Sequence, residues 1–470
     1  MTYIDYTKEP KSDIAFVDMK SFYASVECVK RNLNPLTTSL CVMSRSDNSS
    51  GLILASSPTF KKVFNKSNVN RARELPFDIE TRKFSYKKAL EQGIKVTDTY
   101  VKYIEDWAAR TVIAAPRMAL YIEENLKIQE VFHNYAAPED VYPYSIDENF
   151  IDLSASLNHF VPDKNISKKD KLDIVSAKIQ KDIWEATGIF STVGMSNSNP
   201  LLAKLCLDNE AKKTKTMRAN WSYEDVEEKV WGIKTLTDFW GIGKRTAKRL
   251  NKLGIYSIKD LANSNPDRLK KEFGIIGVQL WFHANGVDES KASIPYIPKQ
   301  QGLGNSQVLP RDYTEQREIE LVLREMAEQV AIRVRRNSKR AGLVSIFVGY
   351  SYKENLKPIS VQTKITPSSS TKILCNHVIK LFRSQYKGGA VRNIGVRYGN
   401  LLNDDYTPFT FFDDAEELNK LERLDKAIDQ IRDTYGFLSV QNASYLSEGS
   451  RAKARSELIG GHCGGLDGLM

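Results

Sequence analysis

The run from Tyr144 to Ser154, YSIDENFIDLS, sets two adjacent carboxylates, Asp147 and Glu148, inside a segment otherwise suited to a core sheet. A charge left there without a partner costs several kcal/mol. Successive strand residues point to opposite faces, so the pair cannot share one side of a straight strand. A turn removes that objection. With Tyr144–Ile146 and Phe150–Leu153 as antiparallel strands, both carboxylates sit at the hairpin end. A third, Asp18, closes the short apolar strand Ile14–Val17, and a helix over Phe22–Val29 follows with apolar residues at Phe22, Val26 and Val29.

Carboxylates converging at one sheet edge repel one another unless a cation lies between them. All-oxygen ligation suits Mg²⁺, which keeps waters and takes its other ligands from phosphates. Two such ions lower the barrier to in-line displacement at phosphorus, so the pattern points to nucleotidyl or phosphoryl transfer. Ordinary solvated turn residues are the alternative for Asp147 and Glu148 taken alone. Charge favours the first reading: 68 Lys and Arg against 58 Asp and Glu give +10 and an anionic partner, nucleic acid ahead of an acidic membrane.

The 470 residues allow about three or four domains. The cysteines are scattered without a C-x-x-C pair, so neither a disulfide framework nor a structural zinc site is expected. With no secretory leader pattern and no apolar run near the ~20 residues of a membrane span, the expectation is a cytoplasmic chain without a membrane partner.

The coarse pattern is α+β and multidomain. A basic, Ser- and Asn-rich insertion follows the first strand and helix. Amphipathic helices over Pro116–Tyr135 and Lys171–Thr187 flank the acidic hairpin. At Leu236 the texture turns all-helical. In WGIGKRTAKRLNKLGI, Gly241 and Gly243 allow a tight turn whose N–H groups suit a phosphate without reading a base, reinforced by Lys244 and Arg245. Beyond a Pro-punctuated linker, a helix over Thr314–Arg336, a strand LVSIFVGYSY, a helix near Thr371–Phe382 and a strand VRNIGVRYG suggest an α+β domain. The last segment turns acidic and ends in a Gly-rich tail, read as mobile.

FVDMKSFYASVE and YSIDENFIDLS, followed by GMSNSNPLLAKLCLDNEAKK and the helix-hairpin-helix, resemble the motifs of the Y-family translesion DNA polymerases, most closely the bacterial UmuC-like branch. The resemblance implies a right-hand-like polymerase: palm (1–32 and 96–234), inserted fingers (33–95), helix-hairpin-helix thumb (235–292), little finger (293–402), then an acidic helix and flexible tail (403–470). It implies error-prone, DNA-templated translesion synthesis within an SOS-type damage response. Asp18, Asp147 and Glu148, with the Met19 carbonyl, would bind two Mg²⁺. Tyr23 would be the steric gate against ribonucleotides, and Phe22, Lys61 and Lys204 would contact the nucleotide. Pro58 stands where many relatives have a tyrosine. Asp152 would support the site. Gly241, Gly243, Lys244 and Arg245, with Arg333, Arg335 and Arg336 of the basic run AIRVRRNSKRAG, would contact DNA. Phe409, Phe411 and Phe412 resemble a sliding-clamp peptide, with Pro408 in place of its glutamine. Primer-template DNA, dNTPs, the clamp and recombinase or SOS accessory proteins are the implied partners. Two rival readings are a non-catalytic DNA-binding relative and a helix-hairpin-helix glycosylase or nuclease.

Overall fold

The computed structural model describes residues 4–44, 51–65, 70–91, 93–294, 298, 301–405, 414–459 and 462–463. The chain divides into two compact units, Met1–Tyr296 and Ile297–Met470.

In the first unit, β1 (Ile14–Met19) is almost wholly buried, as its continuous apolar run requires. It passes through Ser21, held at φ +52, into α1 (Phe22–Val29). An inserted layer follows: β2 (Leu40–Met43), β3 (Leu52–Ser56), α2 (Pro58–Phe64), β4 (Asn70–Arg71), α3 (Tyr86–Glu91), α4 (Asp98–Arg110) and β5 (Val112–Ala114). Its sheet runs β4-β3-β2-β5, with β5 parallel to β2. Phe60, Phe64 and Phe77 share one core with Ile104 and Ala108 of α4. The insertion therefore extends to Ala114, beyond the boundary at 95 expected from the sequence.

The chain returns through α5 (Met118–His133), β6 (Val141–Pro143), β7 (Glu148–Asp152), α6 (Leu157–Phe160), α7 (Lys168–Thr187), β8 (Ser191–Ser196), α8 (Pro200–Asn209) and β9 (Arg218–Asn220). The sheet order β6-β7-β1-β8-β9 puts β1 at the centre. The acidic hairpin differs from expectation. Its first strand is Val141–Pro143, because the N–H groups of Tyr144 and Ser145 both donate to the Glu148 carbonyl (2.9 and 3.0 Å) and fold the chain into a turn before Glu148. Gly194 in β8 admits α8 at close range: a Cβ there would lie 2.2 Å from the Ala203 carbonyl oxygen.

The rest of the unit is helical: α9 (Lys244–Lys252), α10 (Ile258–Ala262), α11 (Pro266–Phe273) and α12 (Ile275–Ala284). Their core is continuous with Leu201, Leu202 and Leu205 of α8.

The second unit is β10 (Gly302–Tyr313), α13 (Gln316–Arg336), β11 (Lys339–Tyr350), β12 (Ile359–Ser368), α14 (Thr371–Gln385) and β13 (Val391–Asn403), followed by α15 (Ala415–Tyr435). Its sheet runs β10-β13-β11-β12. α13 and α14 cover one face over Val344, Ile346, Val396 and Tyr398.

The acidic helix packs against the basic run. Arg335 has a side chain only 10% exposed and grips Asp429 through two bonds of 2.6 and 2.9 Å, with further bonds to the Ser369 carbonyl and Thr371. Arg336 pairs with Asp433, and Arg340 with Glu422 at 2.7 Å. Arg335 is therefore not free for DNA, a correction to the sequence reading; it fastens α15 to α13. Arg335→Ala is expected to destabilise this unit by about 3 kcal/mol, since it strands Asp429 beside Asp425. Chemical denaturation would register that loss, and the salt dependence of DNA binding should stay as in wild type. Phe409, Phe411, Phe412 and the tail from 464 lie outside the described residues.

Candidate active site

Pairing of β1 with β7 sets Asp18 opposite Glu148, and the Met19 N–H donates to the Asp147 carbonyl at 2.9 Å. The three carboxylates thus come together at one end of the central sheet. With Asp147 in the turn and Glu148 opening the strand, their adjacency needs no strained strand. Asp18 and Asp147 face a cavity of about 740 Å³, also lined by Met19, Lys20, Phe22, Tyr23, Pro58, Lys61 and Lys212.

Lysines offset this negative charge. Lys204 on α8, nearly buried, donates to Glu148 Oε1 at 2.7 Å and pairs with Asp208 at 3.3 Å, its ammonium lying 4.5 Å from the Phe16 ring centroid. Lys212 lies 2.9 Å from both Asp18 Oδ2 and Asp208 Oδ1. Asp208 thus bridges two lysines, each of which also holds one of the central carboxylates. Burial would lower the Lys212 ammonium, but Asp18 and Asp208 more than offset it and hold the group above its usual value. Burial pushes the Asp18 carboxyl up to about 6, opposed by Lys212 and assisted by Asp147 and Glu148. Burial likewise raises the Asp147 carboxyl, against a 2.8 Å bond from Ser145 Oγ.

Among the described residues no group of His, Cys, Asp or Glu is already gathered as a metal cage. The donor set nevertheless fits a hard cation. Every donor is oxygen, and a divalent ion would offset both the burial that raises Asp18 and the repulsion from Asp147 and Glu148 that adds to it.

Lys61 reaches the cavity from α2, which Ser57 caps and Pro58 opens, and its ammonium donates to Ser21 Oγ at 3.1 Å. Burial lowers Lys61, which lies near Asp18, Lys20 and Lys212. Phe22 is buried, whereas Tyr23 on the next residue of α1 is half-buried at the cavity wall. In the helical module, Gly241 adopts φ +93 and Gly243 caps α9, while Ile242 is buried as the anchor of the turn. Lys244 and Arg245 are exposed at the start of α9. Asp152 does not support the site. It lies at the far end of β7, opposite Ile14, and accepts from the Ser154 N–H at 2.9 Å.

The sequence reading missed Lys212 and Asp208. The signal was present in LCLDNEAKK, where Asp208 and Lys212 are spaced i, i+4 with Lys204 one turn earlier. It also missed a second-unit surface. Opposite the helices, the sheet exposes Arg397 beside Gly304 and Ser345, Ser345 beside Gln362, and Lys364 beside Leu343, a face of small residues and cations.

Residues 17–208 match the impB/mucB/samB family, 223–255 its helix-hairpin-helix motif and 300–409 its C-terminal domain. A Bacillus subtilis (strain 168) protein named UvrX for UV-damage repair is 35% identical over 98% of this chain and 99% of its own. DNA polymerase IV 2 of the same strain is 31% identical over 96% of this chain and 98% of its own. A solved Y-family DNA polymerase chimera shares the fold at TM-score 0.59 and 19% identity, over 83% of this chain and 99% of that one. The matches span both units, and the chain belongs to the impB/mucB/samB family of Y-family DNA polymerases.

Proposed function

We propose that the protein extends a primer on a DNA template, inserting deoxynucleotides opposite damaged bases as part of an SOS-type response to DNA damage. The convergence of Asp18, Asp147 and Glu148 at one end of the central sheet, with Asp18 and Asp147 facing a cavity also lined by Lys20, Lys61 and Lys212, carries this reading. Asp18, Asp147, Glu148 and the Met19 carbonyl would hold two Mg²⁺. Ions held there would activate the attacking primer oxygen and neutralise charge on the leaving pyrophosphate.

The chain's own groups do the rest. Lys61 and Lys212 offer point charges to a triphosphate inside the cavity, while Lys204 holds Glu148 from beneath. Tyr23 offers ring bulk at the cavity wall, where a ribose 2′-hydroxyl would clash. The turn at Gly241–Gly243 offers N–H groups to a phosphate, with Lys244 and Arg245 beside them. In the second unit, Arg397 and Lys364 on the open sheet face suit the duplex backbone better than Arg335 and Arg336, which α15 engages.

The glycosylase or nuclease reading would need a catalytic lysine or aspartate just beyond the hairpin, and the nearby Asp260 and Asp267 carry no supporting motif. Asp260 is occupied instead as a helix cap, accepting from the Tyr256 and Ser257 N–H groups at 3.0 and 2.9 Å. Purified protein, primed template, Mg²⁺ and dNTPs form the test. Primer extension is expected; cleavage of damaged duplex without dNTPs, and no extension with them, would favour the rival.

Phe409, Phe411 and Phe412 are proposed to dock on the sliding clamp, and accessory recombinase proteins are proposed partners. A Phe411→Ala/Phe412→Ala double variant should lose about 2 kcal/mol of clamp binding in a titration, with unchanged thermal stability.

A further inference from the structure

Tyr23 and Glu27 are one helical turn apart on α1, and Arg117 and Tyr121 are one turn apart at the start of α5. The two pairs zip together. The Tyr23 ring stacks on Tyr121 with centroids 4.5 Å apart and planes 15° apart. Arg117 grips the Glu27 carboxylate through Nε at 2.9 Å and Nη2 at 2.7 Å, and the Tyr121 hydroxyl donates to the same carboxylate at 2.8 Å. Arg31 also pairs with Glu27.

Glu27 and Tyr121 are fully buried. Burial would raise the Glu27 carboxyl, but its bonds from Arg117, Tyr121 and Arg31 more than offset that and hold it below its usual value. A buried charge so fully engaged makes Tyr121 a fixed plate. Tyr23, by contrast, lines the cavity and its hydroxyl has no hydrogen-bond partner among the described residues. Its ring is therefore located by stacking rather than by its polar end. Phe22 touches it only at a tilt of 48° and 5.7 Å.

We infer that Tyr121, locked by Glu27 and Arg117, is a positioning residue that sets discrimination between ribonucleoside and deoxyribonucleoside triphosphates by holding the Tyr23 ring in place. This rests on the proposed role of Tyr23 as the gate. A small displacement of a group that excludes one hydroxyl is enough to change selectivity without removing any group that touches the reacting atoms.

The experiment measures kcat/KM for single rNTP and dNTP insertions by full-length wild type, Tyr23→Ala, Tyr121→Leu, Tyr121→Phe and Arg117→Lys, with thermal melting of each. Tyr121→Leu should raise the rNTP to dNTP ratio about tenfold while dNTP insertion falls far less, and Tyr121→Phe, which keeps the plate, should restore most of the selectivity. Arg117→Lys, which loses the two-pronged grip, should raise the ratio by a smaller factor, and it decides the matter if Tyr121→Leu does not fold. An unchanged ratio in folded Tyr121→Leu, or in Arg117→Lys where that variant decides, with a raised ratio in Tyr23→Ala, overturns the role of Tyr121 and leaves the gate standing. An unchanged ratio in Tyr23→Ala overturns both.

Discussion

Asp18→Ala or Glu148→Ala is expected to lower primer extension by about a thousandfold or more, the several kcal/mol that removal of a metal-holding carboxylate from phosphoryl-transfer machinery would cost. DNA affinity stays near wild type or rises slightly, because a negative charge facing phosphates is gone. The fold survives because Asp208 keeps a partner for whichever lysine loses its own: Lys212 after Asp18→Ala, Lys204 after Glu148→Ala. Single-turnover extension with saturating DNA, alongside a binding titration and a thermal melt, separates the chemical loss from any structural one. Extension by folded Glu148→Ala within tenfold of wild type would remove Glu148 from the site.

If Tyr23 is the proposed gate, Tyr23→Ala is expected to raise the rNTP to dNTP ratio of kcat/KM on the order of a hundredfold, since it deletes the ring where a 2′-hydroxyl would sit and touches no carboxylate. Tyr23→Phe is expected to keep wild-type selectivity, because the hydroxyl has no partner among the described residues and the proposed gate acts through ring bulk alone. Steady-state insertion of matched rNTP and dNTP opposite one template base reads both outcomes. An unchanged ratio in Tyr23→Ala would make Tyr23 a core aromatic stacked on Tyr121.

What the sequence made legible was local. Asp18 ends an apolar run and precedes a helix, so the strand, the carboxylate at its end and α1 follow from neighbours alone. The same holds for Gly241 and Gly243, whose turn is written in consecutive residues. The errors are long-range. Arg335 looked free for DNA because the partner that immobilises it, Asp429, is 94 residues away. The inserted layer looked finished at 95 because its last strand, Val112–Ala114, is three residues long and pairs with Leu40–Val42 across the whole insertion.

Hairpin register escaped for a related reason. Tyr144 is apolar enough to read as a strand residue, yet it is 41% exposed and its N–H closes the turn on Glu148. β10 was not foreseen because Gly302, Gly304 and Pro310 interrupt a strand pattern; an edge strand with a bulge beyond Val308 tolerates them. Lys212 went unread for the same long-range reason. Only the fold brings its ammonium to Asp18.

The proposed chemistry depends on Asp18, Asp147 and Glu148 holding the metals. A crystal structure of the full chain with primer-template, a non-hydrolysable dNTP and Mn²⁺ in place of Mg²⁺ tests it most directly. Anomalous peaks are expected for two ions ligated by these carboxylates and the triphosphate, with Asp18 released from Lys212 and Glu148 from Lys204. A bound nucleotide whose metal ions lie elsewhere, with both lysine pairs intact, would contradict it.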